Sequence, residues 1–210
     1  MYKMGLKNYA DLASKLRGIN KLGDEIASRT VSDMKNRGPT QVSKAVREIY
    51  AISAADMKGQ VDMNISKKAI GSVKVSGRTV EELAFVYQGR RLTFRHYHQN
   101  PMNAMSHAGP GKGKLVKAEI RKGRKKVIGG SVFTAPGKGG RILPFQREGI
   151  ERTPLRALRS MSIPQMIQYS DGKPNPDTEP LINKYIGELL EKRLENHVAS
   201  AQKKVGKVRG

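Results

Sequence analysis

Lys112-Gly-Lys-Leu-Val-Lys-Ala-Glu-Ile-Arg-Lys-Gly-Arg-Lys-Lys126 sets eight Lys or Arg residues against one acid, Glu119. Within it Val116, Ala118 and Ile120 alternate with polar neighbours, the period of a half-buried strand. Arg121-Lys122-Gly123-Arg124 makes a tight break, and Val127 to Phe133 supplies the returning strand. The stretch therefore reads as a basic hairpin inside a sheet, which makes the middle of the chain β.

Working outward, the same alternation recurs on the N-terminal side. Val61, Met63 and Ile65 alternate with Asp62 and Asn64, and Val73 and Val75 with Ser72, Lys74 and Ser76. Thr79 to Tyr87 is apolar without a decisive period. Arg90 to Lys114 is polar and punctuated by Gly and Pro, which predicts a long loop that orders against a partner. On the C-terminal side, Pro136-Gly-Lys-Gly-Gly140 is a turn and Arg141 to Phe145 a short strand. Pro154 to Met166 is cut by two prolines that fix a turn.

Helices flank this β region. Leu12, Leu16, Ile19 and Ile26 fall at helical spacing, with a break expected near Gly23 and a stop at Arg37-Gly38-Pro39. Val42, Ala45, Val46, Ile49 and Tyr50 form a second stripe, and Ser53-Ala-Ala-Asp56 resembles a capping box. Near the other end Leu181, Ile182, Tyr185, Ile186, Leu189 and Leu190 line one side of a helix. Asp177 or Thr178 can cap it, and Pro180 suits its first turn. The expected fold is α+β: N-terminal helices, a mostly antiparallel central β-sheet and a C-terminal helix packed on that sheet. The divisions fall at 1–58 for the helical region, 59–170 for the β-rich core and 171–200 for the C-terminal helix. A flexible basic tail is expected over 201–210.

Composition narrows the function. The chain has 210 residues, a formal charge of +22 and a pI near 10.3, a field that gathers polyanions at the surface. It has no cysteine, so disulfides and thiolate metal sites are excluded, which suits a reducing cytoplasm without establishing one. No signal peptide or apolar run of spanning length is visible, so a soluble protein with no membrane partner is expected.

The motifs that would mark an enzyme fail on spacing. Walker A needs a glycine five residues before its Gly-Lys pair and Ser or Thr after it. Gly137-Lys138 has Val132 and Gly139 at those positions, and Gly111-Lys112 has Ser106 and Gly113. His96, His98 and His107 share one loop but lie among Arg90, Arg91 and Arg95, cations that oppose a bound metal. They read as exposed loop or interface histidines. Asp24-Glu25 and Glu81-Glu82 are adjacent pairs, which on a helix do not face each other. A nuclease would cluster carboxylates around Mg²⁺, and none is clustered here. No residue is assigned to catalysis, a cofactor or a metal.

Lys117, Arg121, Lys122, Arg124, Lys125 and Lys126 are therefore the candidate DNA- or partner-binding residues. No aromatic lies between Leu115 and Val132, so any grip on nucleic acid is on phosphate and not on base sequence.

Several segments resemble, in order, the minor tail protein Z family of lambda-like phages, the tail completion proteins. They are Arg47-Glu-Ile-Tyr-Ala-Ile-Ser-Ala-Ala-Asp-Met57, Val73-Lys-Val-Ser-Gly-Arg78, Val116 to Gly123 and Gly130-Ser-Val-Phe-Thr-Ala135. The most specific is Thr153-Pro-Leu-Arg-Ala-Leu-Arg-Ser-Met-Ser-Ile-Pro-Gln-Met166, followed by a helix ending in Glu191-Lys-Arg-Leu-Glu195. The resemblance covers about residues 45 to 198, and the chain departs from the pattern in Arg90 to Gly113 and in Arg147 to Arg152. It implies a structural virion protein of the head–tail junction, made in the host cytoplasm and assembled as a homo-oligomeric ring. Its neighbours would be the tail terminator and head connector, with genomic DNA in the channel. Met161, Ile163 and Met166 are candidate subunit-interface residues, against a purely structural role for their segment. The alternative is a sequence-independent nucleic-acid-binding protein, such as a ribosome-associated or packaging factor.

Overall fold

A computed structural model describes residues 20–57, 71–104, 115–129, 132–151 and 153–208. The stripe Leu12, Leu16 and Ile19, the strand expected at Val61 to Ile65, His107 and Lys112 lie outside the described residues.

The elements run in order as α1 (Asn20–Ile49), α2 (Ala54–Met57), β1 (Gly71–Ser76) and β2 (Ala84–Gly89). A 3-10 turn follows at Phe94–Tyr97, then β3 (Lys117–Arg121), β4 (Arg124–Val127), β5 (Phe133–Pro136), β6 (Ile142–Arg147) and β7 (Leu155–Ala157). Two helices close the chain, α3 (Ile163–Ile167) and α4 (Glu179–Val208). The fold is α+β, as the patterning predicts. The described strands do not form one central sheet; they divide into β1-β2, β3-β4 and β5-β6-β7.

The chain makes two compact units from interleaved segments: 1–46, 73–87 and 168–210 in the first, 47–72 and 88–167 in the second. In the first unit α1 and α4 run antiparallel. Asp33 meets His197 at 3.0 Å, and Lys44 sits 4.2 Å over the ring of Tyr185. Ile26, Met34, Val42, Ala45 and Val46 are the buried stripe of α1, and Ile182, Ile186, Leu189 and Leu190 that of α4. This is the apolar spacing the sequence displays on both helices.

The expected stop at Gly38-Pro39 is overturned, because α1 continues through Pro39. A proline inside a helix removes one backbone donor and crowds the residue before it. Here that residue is glycine, which has no Cβ to crowd. Gly38 is also where Phe85 of β2 approaches, since a Cβ placed there would stand 2.4 Å from the Phe85 ring and 3.7 Å from Ile186. The predicted break at Gly23 is likewise absent.

The start of α4 is organised by Asn175, which is fully buried. Its side-chain oxygen accepts from Asp177 N at 3.1 Å, and its carbonyl accepts from Glu179 N at 2.9 Å and Thr178 N at 3.1 Å. The helix persists to Val208, so the fraying tail expected from residue 201 is corrected to a continued helix over 201–208.

The second unit is built around β3 and the 3-10 turn. Leu92, Phe94 and Tyr97 are buried, and Tyr97 Oη donates to Met161 O at 2.7 Å. Ser160 N donates to Leu92 O at 2.7 Å. The expectation of a loop ordered only against a partner is therefore wrong for 90–104, whose apolar residues pack within the unit. β5, β6 and β7 form an antiparallel meander in which Phe133 faces Phe145, with ring centroids 6.3 Å apart.

Ser162-Ile-Pro-Gln165 is a reciprocal capping box at the start of α3. Ser162 N donates to Gln165 Oε1 at 2.9 Å, and Gln165 N donates to Ser162 Oγ at 3.4 Å. The turn expected there is this short helix.

Candidate functional site: a basic hairpin

β3 is the anchored strand of the hairpin. Val116 and Ala118 are buried while Lys117 between them is exposed, the alternation seen in the sequence. One edge of β3 is held by chain from elsewhere in its unit. Ala51 N donates to Ile120 O at 3.0 Å and Lys122 N to Ile49 O at 2.9 Å. Asn100 and Lys117 exchange two backbone hydrogen bonds of 2.8 Å.

β4 pairs along the other edge, with Lys117 opposite Val127, Ala118 opposite Lys126 and Glu119 opposite Lys125. Its first residue follows a loop of only Lys122 and Gly123, so the returning strand starts at Arg124 and not at Val127. Gly123 supplies the left-handed turn, φ +72°, and nothing lies within 4 Å of where its Cβ would be. Glu119, the one acid within the hairpin sequence, accepts from Gly123 N at 2.8 Å through Oε1 and so holds the turn. Its other oxygen is 3.7 Å from His98 Nδ1.

All six candidate cations are thus brought onto one ribbon. Lys117 and Arg121 lie on β3, Lys122 in the loop, and Arg124, Lys125 and Lys126 on β4. Every residue of β4 is exposed, and among the described residues β4 pairs with β3 alone. The register also shifts between Glu119 and Arg121, a bulge that sets Arg121 directly opposite Arg124.

Met161, Ile163 and Met166 fall elsewhere in the unit. Ile163 and Met166 are 2% and 0% exposed, and Met161 is half-buried with its carbonyl taken by Tyr97. The interface assignment for Ile163 and Met166 is corrected, because their side chains fill the core of their own unit.

The histidines also separate. His98 is exposed, whereas His96 is half-buried and bonds Asp56 at 2.9 Å through Nδ1, so its reading as an exposed loop residue is corrected. Burial pushes the Asp56 carboxyl up, but hydrogen bonds from His96 and Ser53 and the His96 charge outweigh it and hold it below the usual carboxylate range. Ser53 Oγ donates to Asp56 Oδ2 at 2.7 Å and accepts from Asp56 N at 3.1 Å, so the predicted cap at α2 also orients this carboxylate. Sequence carries no sign of the pairing with a histidine forty positions away.

Gly137-Lys138 lies in the β5–β6 turn, where Gly137 N donates to Arg141 O at 2.8 Å and Gly140 N to Gly137 O at 3.0 Å. Those amides close the turn and are not arrayed for a phosphate. In the first unit a cavity of about 400 Å³ opens between α1 and α4, lined by Arg37, Thr40, Glu188, Lys192 and Arg193 among others. No described helix is long and apolar enough to cross a membrane. Comparison of the chain with protein-family models, curated proteins and solved structures returns no match.

Proposed function

We propose that this protein is a structural component of a siphophage head–tail junction, acting in tail completion around the DNA channel. The observation that carries the reading is the β3–β4 hairpin, whose six exposed cations are met within the hairpin by the single carboxylate of Glu119. The ordered resemblance of segments from Arg47 to Glu195 supports it. So does the chain's charge of +22, which suits a subunit placed beside packaged DNA. In this reading the protein assembles as a homo-oligomeric ring between tail terminator and head connector, with its hairpin turned toward the channel or an acidic neighbour. Its work is contact and not catalysis.

The test is cryo-electron microscopy of particles from a phage encoding the chain, reconstructed at the neck. A ring of density matching both compact units, between connector and tube, is the expected result. Purified, complete particles that lack the chain would overturn the reading.

A second reading, a sequence-independent nucleic-acid-binding protein outside the virion, draws on the exposure of Arg124, Lys125 and Lys126. It becomes the better account if particles lack the chain while the purified protein still binds duplex DNA.

A further inference from the structure

We infer that copies of this chain join head to tail, the loop between β6 and β7 of one copy seating Ile150 in the cavity between α1 and α4 of the next. The inference rests on the ring of the reading above and adds the contact that holds it.

The loop is built as a knob. β6 ends at Arg147 and β7 begins at Leu155, opposite each other in register, and Glu148 N donates to Pro154 O at 3.2 Å. That bond closes the foot of the loop, and Glu148, Gly149, Ile150 and Glu151 are exposed. At 101%, Ile150 is the most exposed large apolar side chain among the described residues. Single apolar residues are common at a surface. This one sits between two acids, in a chain with 18 acids to 40 Lys and Arg. Arg147 and Arg152 bound it in sequence, and Arg147 is half-buried, so the carboxylates lead. They repel phosphate, which turns the knob away from nucleic acid and toward a cationic protein surface.

The cavity in the first unit offers that surface. Its volume is about 400 Å³, the scale of a pocket that takes a small ligand or a side chain. Buried Leu189 gives it an apolar wall, and Arg37, Lys192 and Arg193 line it against one acid, Glu188. Asp33 stands 3.8 Å from Arg193, which leaves Arg37 and Lys192, both exposed, to meet incoming carboxylates. An isoleucine flanked by acids suits this lining, with its side chain on Leu189 and its neighbours on the cations.

Knob and socket are different patches of the chain, the loop in the second compact unit and the cavity in the first. A contact between unlike patches is heterologous, so each copy gives a knob to one neighbour and takes one from the other. Such a series closes into a ring when its rotation allows. Four exposed residues are far fewer than the roughly 20–30 per side of a standard interface, so one contact is weak and closure of the ring reinforces it.

Because the chain has no cysteine, the experiment is disulfide trapping. Gly149→Cys places a thiol beside Ile150, where nothing lies within 4 Å of the new Cβ. Thr40→Cys places one at an exposed position of the cavity lining. The two full-length variants, distinguished by a tag, are mixed and oxidised at about 0.1 mM in roughly 0.15 M salt, where charges more than about 8 Å apart are screened. A mixed dimer is expected about tenfold or more in excess of the yield with a Ser200→Cys partner, whose thiol is exposed on α4 away from the cavity. Adding Ile150→Ser to the knob is expected to cut the mixed dimer about tenfold by removing the apolar contact. Arg37→Glu with Lys192→Glu in the socket should do the same by setting like charges together, and Glu148→Lys with Glu151→Lys in the knob should then restore it. Ile150 fills no core, so Ile150→Ser is expected to leave circular dichroism unchanged.

Equal yields with the Thr40 and Ser200 partners would overturn the contact, as would a yield indifferent to Ile150→Ser. A variant carrying both Gly149→Cys and Thr40→Cys is expected to give linked series of copies. A disulfide within single molecules instead would seat the loop in its own chain and overturn the inference. A ring of density at the neck without the mixed disulfide would remove this contact and leave the virion reading standing. Mixed disulfides from a chain that particles lack would do the reverse.

Discussion

Replacing Gly38 by alanine sets two opposed terms against each other inside α1. On helix propensity alone the change should stabilise the protein by about 1 kcal/mol, because glycine is the poorer helix former. Packing acts the other way. The new methyl would lie 2.4 Å from both Cε1 and Cζ of Phe85, with Ile186 at 3.7 Å on another side. Phe85 is 3% exposed, so its ring must retreat by about 1 Å into a filled core, and overpacking of that kind costs about 1–3 kcal/mol. The methyl also crowds Pro39, which adds to the cost. The net expectation is a loss of about 1–2 kcal/mol, since packing and the proline clash together outweigh propensity. Urea denaturation followed by far-ultraviolet circular dichroism would measure it for wild type, Gly38→Ala, Phe85→Leu and the double variant. Because leucine makes room for the methyl, the double variant should be more stable than the sum of the singles by about 1 kcal/mol. An alanine variant as stable as wild type, at an unchanged denaturant slope, would refute the close approach of β2 to α1.

Two further expectations follow from the second unit. Asp56 is held below its ordinary carboxylate value, so its contribution is complete above the unfolded value of about 3.9 and is lost as pH falls through the lower folded one. Asp56→Asn should therefore flatten the stability–pH curve in that acidic window, and an unchanged acid limb in denaturation midpoints between about pH 2 and 5 would count against the Asp56–His96 pairing. Ser162→Ala removes one half of the capping box and should cost about 1 kcal/mol, whereas Ser162→Asp should retain most of the stability. Equal midpoints for the alanine and aspartate variants would show that α3 does not depend on its cap.

The parts of this fold that were legible in the sequence are those with a repeating apolar period. Ile182, Ile186, Leu189 and Leu190 of α4, Val42, Ala45 and Val46 of α1, and Val116 and Ala118 either side of exposed Lys117 are buried at the expected spacing. The start of β4 was not legible because Arg124, Lys125, Lys126 and Val127 are all exposed, and a strand that buries nothing has no hydrophobic period. Pro39 misled because the rule for proline assumes a Cβ on the residue before it, and Gly38 has none. Leu92, Phe94 and Tyr97 were hidden by their irregular spacing in and just before a 3-10 turn. The candidate site was legible as a cluster of charge, since all six cations are local in sequence. The bulge that sets Arg121 opposite Arg124 is revealed only by the cross-strand register. Asp56 with His96, and Asp33 with His197, are joined across 40 and 164 positions, beyond any local pattern.

The interleaving of the two compact units has a consequence for how the chain is made. Residues 47–72 and 88–167, which complete the second unit, leave the ribosome before α4 does. The apolar stripe of α1, including Ile26, Met34 and Val42, is synthesised early and meets Ile182, Ile186 and Leu189 only after Glu179 has emerged. At about 5–20 residues per second, the 130 positions from Ile49 to Glu179 take on the order of 10 seconds to appear. For that interval the first helix is an amphipathic surface waiting for its partner. Translation order therefore leaves the part of that face that α4 covers open until the last fifth of the chain has been made.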